Sequence, residues 1–333
     1  MPAIAAAFGS SHSVMLTCQP DDWQSGFLGH DRNGRYFDNV GNACTYQELL
    51  SRAPANASAL VAPSEIANRY KQSMDAIARL KQSIRNARLD ALIVIGDDQN
   101  ELFDTRLMPS IGIYHGATIR NGVRREVAAD QWYARAQMRR LEDAAEHHYP
   151  CHQPLALHII DSLMKRSFDV ATISELADGQ HEGHAFSFVH RFYLPDEELP
   201  IVPVFLNTFF PPNQPLPARC VALGSAIRDA VLSYPGDIRI GIIGSGGLSH
   251  FHVDEDLDRR IIEALHVNDT DTLCALDVRR LLSGSSEIRN WIALAGAIGD
   301  LQLDWLSYIP AYRTPALTGT GLCFAAWRGK TLT

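Results

Sequence analysis

Three residues stand where a chain could do metal or acid–base chemistry: His12, His250 and Glu287. His12 closes Gly9-Ser-Ser-His12, and His250 closes Gly244-Ser-Gly-Gly-Leu-Ser-His250, each soon after an apolar run. Imidazole titrates near neutral pH and is a common metal ligand, so a histidine in such a turn can move protons or hold an ion. An ordinary surface histidine fits the same place, and the residues alone do not separate these alternatives. Glu287 lies in Ser285-Ser-Glu-Ile-Arg-Asn-Trp291, opening a helix pattern that reaches about residue 298. A carboxylate there either interacts with the helix dipole or serves as an anionic ligand. Asp97-Asp-Gln99 adds oxygen donors after a third apolar run.

Two rival chemistries fail on residues read directly. The glycines at 244–250 let the backbone pass close to a bulky group, but Ser249 stands where a dinucleotide fingerprint needs its third glycine. No Gly-x-Ser-x-Gly elbow for a serine hydrolase occurs there either. The six cysteines are scattered with no Cys-x-x-Cys pair, which implies reduced, mostly buried thiols rather than a disulfide framework or a cysteine zinc site.

The elements that must position these groups alternate strand and helix. Strands are expected at 3–8, 91–95, 169–173, 201–206 and 238–243, and helices at 155–165 and 218–232. A further helix starts at Pro63 with Ser64 as N-cap and a stripe of Ile66, Tyr70, Met74, Ile77, Leu80 and Ile84. Residues 18–62, rich in Gly, Asn and Asp, are expected to be irregular and to wrap the surface. The pattern predicts an α/β fold: a single domain over 1–333 with a central, largely buried mixed sheet flanked by helices. The polar clusters follow the strands, and active crevices in open α/β sheets lie at the carboxyl ends of strands, so they are expected to converge.

The chain has 333 residues, 46% of them hydrophobic, and a net charge of −8 with no basic run. That argues against a nucleic-acid or anionic-membrane partner. No apolar run approaches the roughly 20 residues of a membrane span, and residues 1–8 lack the cationic start of a signal peptide. A cytoplasmic homodimer is the expectation.

Four patches, in order along the chain, resemble the class III extradiol ring-cleavage dioxygenases, the family of the catalytic (beta) subunit of protocatechuate 4,5-dioxygenase. They are Ser10-Ser-His12; Asp97-Asp-Gln99 with Phe103-Asp104; Cys220-Val-Ala-Leu-Gly224 followed by Gly246-Gly-Leu-Ser-His250; and Glu287 four residues before Trp291. The resemblance implies an Fe(II) enzyme that opens a catechol-type aromatic diol with O2, some relatives working with a small helper subunit. It implies His12 and Glu287 as metal ligands and His250 as the catalytic base. Gln99 falls where the family has its second iron histidine, so the implied metal set is His12, Gln99 and Glu287, with Asp97 or Asp98 as substitutes. The Asp-Asp-Gln segment is similar to a branch that includes 3-O-methylgallate dioxygenases. By the same resemblance His184 is a further catalytic histidine, while Tyr312 and Arg313 line the substrate pocket, Arg313 suited to a ring carboxylate. Gln99 also leaves open a non-catalytic, metal-free binding protein of the same fold. A zinc hydrolase fits less well without a second histidine, and a dioxygenase acting on a non-aromatic substrate is a further alternative.

Overall fold

Strand formation begins with the apolar runs. All seven residues of Ala91–Asp97 are buried, and successive side chains of a strand point to opposite faces. Ile93 and Ile95 therefore join one core cluster with Ile240 and Ile242, while Leu92 and Val94 join another with Phe8 and Ile243. A strand covered on both faces belongs inside a sheet with helices on each side.

The computed structural model describes residues 3–122, 132–195 and 198–329. Its main sheet contains β1 (Ala3–Ser10), β2 (Ala91–Asp97), β3 (Ile111–Tyr114), β4 (Ala171–Ile173), β5 (Ile201–Leu206), β6 (Arg239–Ser245), β7 (His250–His252), β8 (Gln302–Tyr312) and β9 (Thr318–Arg328). The strand order is β7-β9-β1-β6-β2-β5-β3-β4, with β8 paired to β9. The sheet is mixed: β1, β6, β2 and β5 run parallel, whereas β9 is antiparallel to β1 and β3 antiparallel to β5. Seven helices of ten or more described residues and one short one at the site flank it: α1 (Pro20–Asp31), α2 (Pro63–Ala87), α3 (Trp132–Leu141), α4 (Gln153–Lys165), the short α5 (His184–Phe188), α6 (Pro217–Leu232), α7 (Glu255–Val267) and α8 (Ile288–Ile298). No described helix is long and apolar enough to cross a membrane.

The expected strands and helices appear with small shifts at their ends. In α2 the N-cap is Ala62, not Ser64, because Pro63 takes the first helical position, where its missing N–H costs nothing. Residues 18–62 differ more from expectation. They fold as α1, a hairpin of Arg35–Phe37 with Ala43–Thr45, and short helices Tyr46–Arg52 and Ala57–Leu60. Helix α1 starts with Gln19 and Asp22 exchanging cap contacts and buries Trp23 and Phe27 in the core. The glycines inside it, Gly26 and Gly29, hide the helix from a propensity reading.

Helix α8 is buried along its whole length, lying between the sheet and α6. The two helices touch through glycine: a Cβ on Gly224 would meet Ala293 O at 1.9 Å, and one on Gly296 would meet Val221 O at 2.1 Å. Gly224→Ala should therefore force α6 from α8 and destabilise the protein by about 2–3 kcal/mol in urea unfolding. Gly29 in α1 faces open space, and Gly29→Ala should raise stability by about 0.5–1 kcal/mol. Equal effects of the two substitutions would show that close helix approach does not govern this core.

Candidate metal and acid–base centre

The parallel strands β1, β6 and β2 are neighbours, so their carboxyl ends deliver His12, residues 245–250 and residues 97–101 to one place. Trp291 ties the segments together. Its ring lies over Gly9, where a Cβ would come within 2.1 Å of Cζ3, and its indole N–H donates to Gly246 O. One turn earlier on the same segment, Glu287 reaches the strand ends. Asn290 adds a further tie, its amide N–H groups donating to Ser245 O (2.8 Å) and to Asp97 Oδ1 (3.0 Å).

At the centre, donor atoms of His12, Asp97, His184 and Glu287 lie within 4.8 Å of one another, all four side chains buried. His12 Nε2 is 3.2 Å from Glu287 Oε2, 3.8 Å from Asp97 Oδ1 and 3.0 Å from His184 Nε2. His184 Nε2 is 3.9 Å from Asp97 Oδ2. Glu287 Oε2 accepts the Gly247 N–H at 2.8 Å, and the Gln99 amide nitrogen donates to Glu287 Oε1 at 3.1 Å.

The electrostatics split the acidic pair. Burial pushes both carboxyls up, but His250 and His12 more than offset this at Glu287, which is held well below the usual carboxylate range. Asp97 is raised, by burial first and by the Glu287 charge second. His184 is pushed up to about 10: burial works against this, and the Glu101 carboxylate beside it prevails.

His250 stands on the other side of Glu287, its Nε2 3.7 Å from Oε2. Its Nδ1–H donates to Leu248 O at 2.9 Å, which leaves Nε2 as the acceptor nitrogen. Ser285 Oγ accepts the His250 N–H and donates to the His250 carbonyl, clamping that backbone. Burial lowers the His250 pKa, partly opposed by Glu287. Buried Asp258 supports the preceding turn by accepting from Ser249 N–H, Ser249 Oγ and Tyr308 Oη.

A cavity of about 180 Å³ opens on this cluster. His12, Gln99, His184, His250, Glu287 and Arg313 all line it, beside Val14, Leu141, Phe188 and Phe251. Of the nine candidate residues named in the sequence, six thus line one cavity, Asp97 joins the cluster behind them, and Asp98 turns to the backbone of residues 101–103. Tyr312 is not among its lining residues; its hydroxyl donates to Glu255. Arg313 is already engaged, its Nε and Nη2 each 2.8 Å from the Asp31 carboxylate, with Phe27 beneath the guanidinium at 4.0 Å. A ring carboxylate would have to share this cation with Asp31. The sequence reading passed over Glu101, Asn290 and Asp31. Glu101 had a signal, since it stands in the same post-strand run as Asp97.

A buried set of imidazoles and carboxylates at strand ends, opening into a cavity with a further imidazole on its wall, defines a candidate metal centre of an α/β enzyme fold. Comparison with known proteins gives the family. Residues 50–323 match the model for the catalytic LigB subunit of aromatic ring-opening dioxygenase, and the chain belongs to that family. It is 30% identical over 177 residues to a 2,3-dihydroxyphenylpropionate/2,3-dihydroxicinnamic acid 1,2-dioxygenase of Comamonas testosteroni, covering 53% of this chain and 47% of that protein. It is 30% identical over 182 residues to a gallate dioxygenase of Pseudomonas putida, covering 50% of this chain and 51% of that one. The chain thus spans about half the length of these curated relatives.

The Arg313–Asp31 pair yields a stability prediction. Burial raises the Asp31 carboxyl, but His30 and Arg313 together hold it below its ordinary value of 3.8. A depressed folded-state pKa contributes stability that is present above about pH 4 and lost as pH falls through the folded value. Asp31→Ala strands a buried guanidinium and should cost about 3–5 kcal/mol at pH 7 in chemical unfolding, with Asp31→Ala/Arg313→Leu recovering part of the loss. A double variant no more stable than the single one would contradict the pairing.

Proposed function

We propose that this protein is an Fe(II)-dependent extradiol dioxygenase that opens a catechol-type ring, protocatechuate- or gallate-like, with O2 to give a semialdehyde. The observation that carries this reading is a buried His/Asp/Glu cluster whose His12, His184 and Glu287 line a cavity together with His250, Val14, Leu141, Phe188 and Phe251. Family membership supports it. So do the names of the two relatives, dioxygenases of 2,3-dihydroxyphenylpropionate and of gallate, both hydroxylated aromatics.

The donor set suits the ion. Imidazoles with a carboxylate around one point match the arrangement that leaves open positions on Fe(II). His12 and Glu287 would hold it, with the third protein donor drawn from His184, Asp97 or Gln99. Bound there, Fe(II) supplies the redox chemistry and acidifies a coordinated hydroxyl.

The chain's own residues do the rest. His250, with Nδ1–H tied to Leu248 O, presents Nε2 to accept the hydroxyl proton of the diol and later return it. Ser285 clamps the backbone that carries this imidazole, and the Leu248 carbonyl holds the ring. Phe188, Phe251, Leu141 and Val14 give the ring an apolar slot and limit water.

The test is oxygen uptake by Fe(II)-reconstituted protein against a panel of catechols, with appearance of the yellow ring-fission product. Uptake matched to product supports the reading, and its absence with every catechol rejects it. His250→Phe should keep its iron and lose about 10²–10⁴-fold in turnover. Glu287→Ala should lose both iron and activity; full iron occupancy in that variant would remove Glu287 from the ligand set.

A further inference from the structure

The protons around His12 and His184 can be assigned from their partners. Ser245 Oγ donates its hydrogen to Ala185 O at 2.9 Å, so in its 3.0 Å contact with His12 Nδ1 it must accept. That fixes the proton of His12 on Nδ1 and leaves a lone pair on Nε2. On the other ring, the Glu101 carboxylate accepts from the His184 backbone N–H at 2.8 Å and from His184 Nδ1–H at 2.7 Å. His184 Nε2 then either carries the ring's second proton, which it donates to His12 Nε2, or is free to hold an ion. The two Nε2 atoms lie 3.0 Å apart, with the ring planes at 82°. A proton bridges the two nitrogens in the absence of an ion, and a metal ion that replaced it would meet both of them together with Glu287.

Gln99 is turned the other way. Its amide nitrogen faces Glu287 Oε1 at 3.1 Å and Asp97 Oδ2 at 3.4 Å, so it donates to the carboxylates. The oxygen, the only atom of that side chain able to hold an ion, is not the atom pointed at them.

We infer that His184 is the second imidazole ligand of the metal site, taking the place that Gln99 fills in the sequence pattern, and that Glu101 is the positioning residue that sets its tautomer. This rests on the metal-centre reading above and gives His184 a ligand role in place of proton donation. The local structure is built for it. Gly183 has no Cβ, and one there would sit 2.8 Å from Glu101 Oε2, so glycine lets the carboxylate lie over the start of α5. Gly96 likewise admits Ala185, whose Cβ would be 2.7 Å from a Cβ at that position, seating α5 against the end of β2. Asp98 accepts the N–H groups of Glu101, Leu102 and Phe103 and fixes the loop that carries Glu101. A ligating histidine held by a carboxylate through its far nitrogen is oriented and made more basic by that contact.

The experiment is anaerobic titration with Co(II), read by its visible absorption bands, on wild type, His184→Ala, His184→Gln, Glu101→Gln and Gln99→Ala. Circular dichroism confirms folding, and His184→Gln covers the case in which the alanine variant does not fold. Removal of His184 should weaken Co(II) binding at least ~100-fold and Glu101→Gln about 10–100-fold, while Gln99→Ala changes it less than ~10-fold. His184 variants that bind Co(II) as wild type does, or a larger loss from Gln99→Ala, would overturn the inference and leave the dioxygenase reading standing. Wild-type protein that takes up neither Co(II) nor Fe(II) rejects the metal centre itself, and this inference with it.

Discussion

Two imidazole nitrogens held this close inside a protein, next to two carboxylates, need positive charge between them: a shared proton, or a metal ion in its place. That constraint governs the site. His12 Nε2 and His184 Nε2 are 3.0 Å apart, Glu287 Oε2 is 3.2 Å from His12 Nε2, and Asp97 lies fully buried beside them. Isolated charges in such a place cost many kcal/mol. The chain tolerates them because each group is fixed by a partner outside the cluster: Ser245 for His12, Glu101 for His184, Gly247 N–H for Glu287, and Asn290 for Asp97.

Those partners are in place because of the sheet order. With β6 lodged between β1 and β2, three post-strand segments become neighbours although they are up to 240 residues apart in sequence, as residues 10 and 250 are. Helix α8 then crosses beneath the strand ends, and its glycine-lined contact with α6 lets it lie deep enough to deliver Glu287, Asn290 and Trp291 together. Gly9 and Trp291 form the clamp: a side chain on the first would expel the second, and with it the register of Glu287 against His12. Packing and chemistry are in this sense one construction, since the groups that bind charge sit on the elements with least room to move.

Much of this was legible in the sequence. The runs around residues 3–8, 91–95, 201–206 and 238–243 are apolar on both faces and too short for buried helices, which suits strands inside a covered sheet, and polar residues directly after them mark the edge where a site forms. His12, His250 and Glu287 stand at turn and helix-start positions where an ordinary polar residue also fits, so the resemblance of four ordered patches, and not position alone, singled them out. Other features were hidden. Helix α1 has two glycines and little amphipathic contrast, so local propensity conceals a helix that tertiary burial of Trp23 and Phe27 stabilises. Arg313 reads as a free cation until Asp31, 282 residues away, is seen to occupy it. Glu101 and His184 are 83 residues apart, and their pairing depends on how α5 docks on β2, which no spacing rule encodes. The direction in which Gln99 points is likewise a property of its neighbours and not of its type.

The most direct measurement is anomalous diffraction at the iron edge from crystals loaded anaerobically with Fe(II). One peak should appear within about 2.0–2.3 Å of His12 Nε2, His184 Nε2 and a Glu287 carboxylate oxygen, with His250 close by but outside bonding distance. A peak that bonds Gln99 Oε1 and leaves His184 unbound, or iron found only away from these residues, would contradict the account.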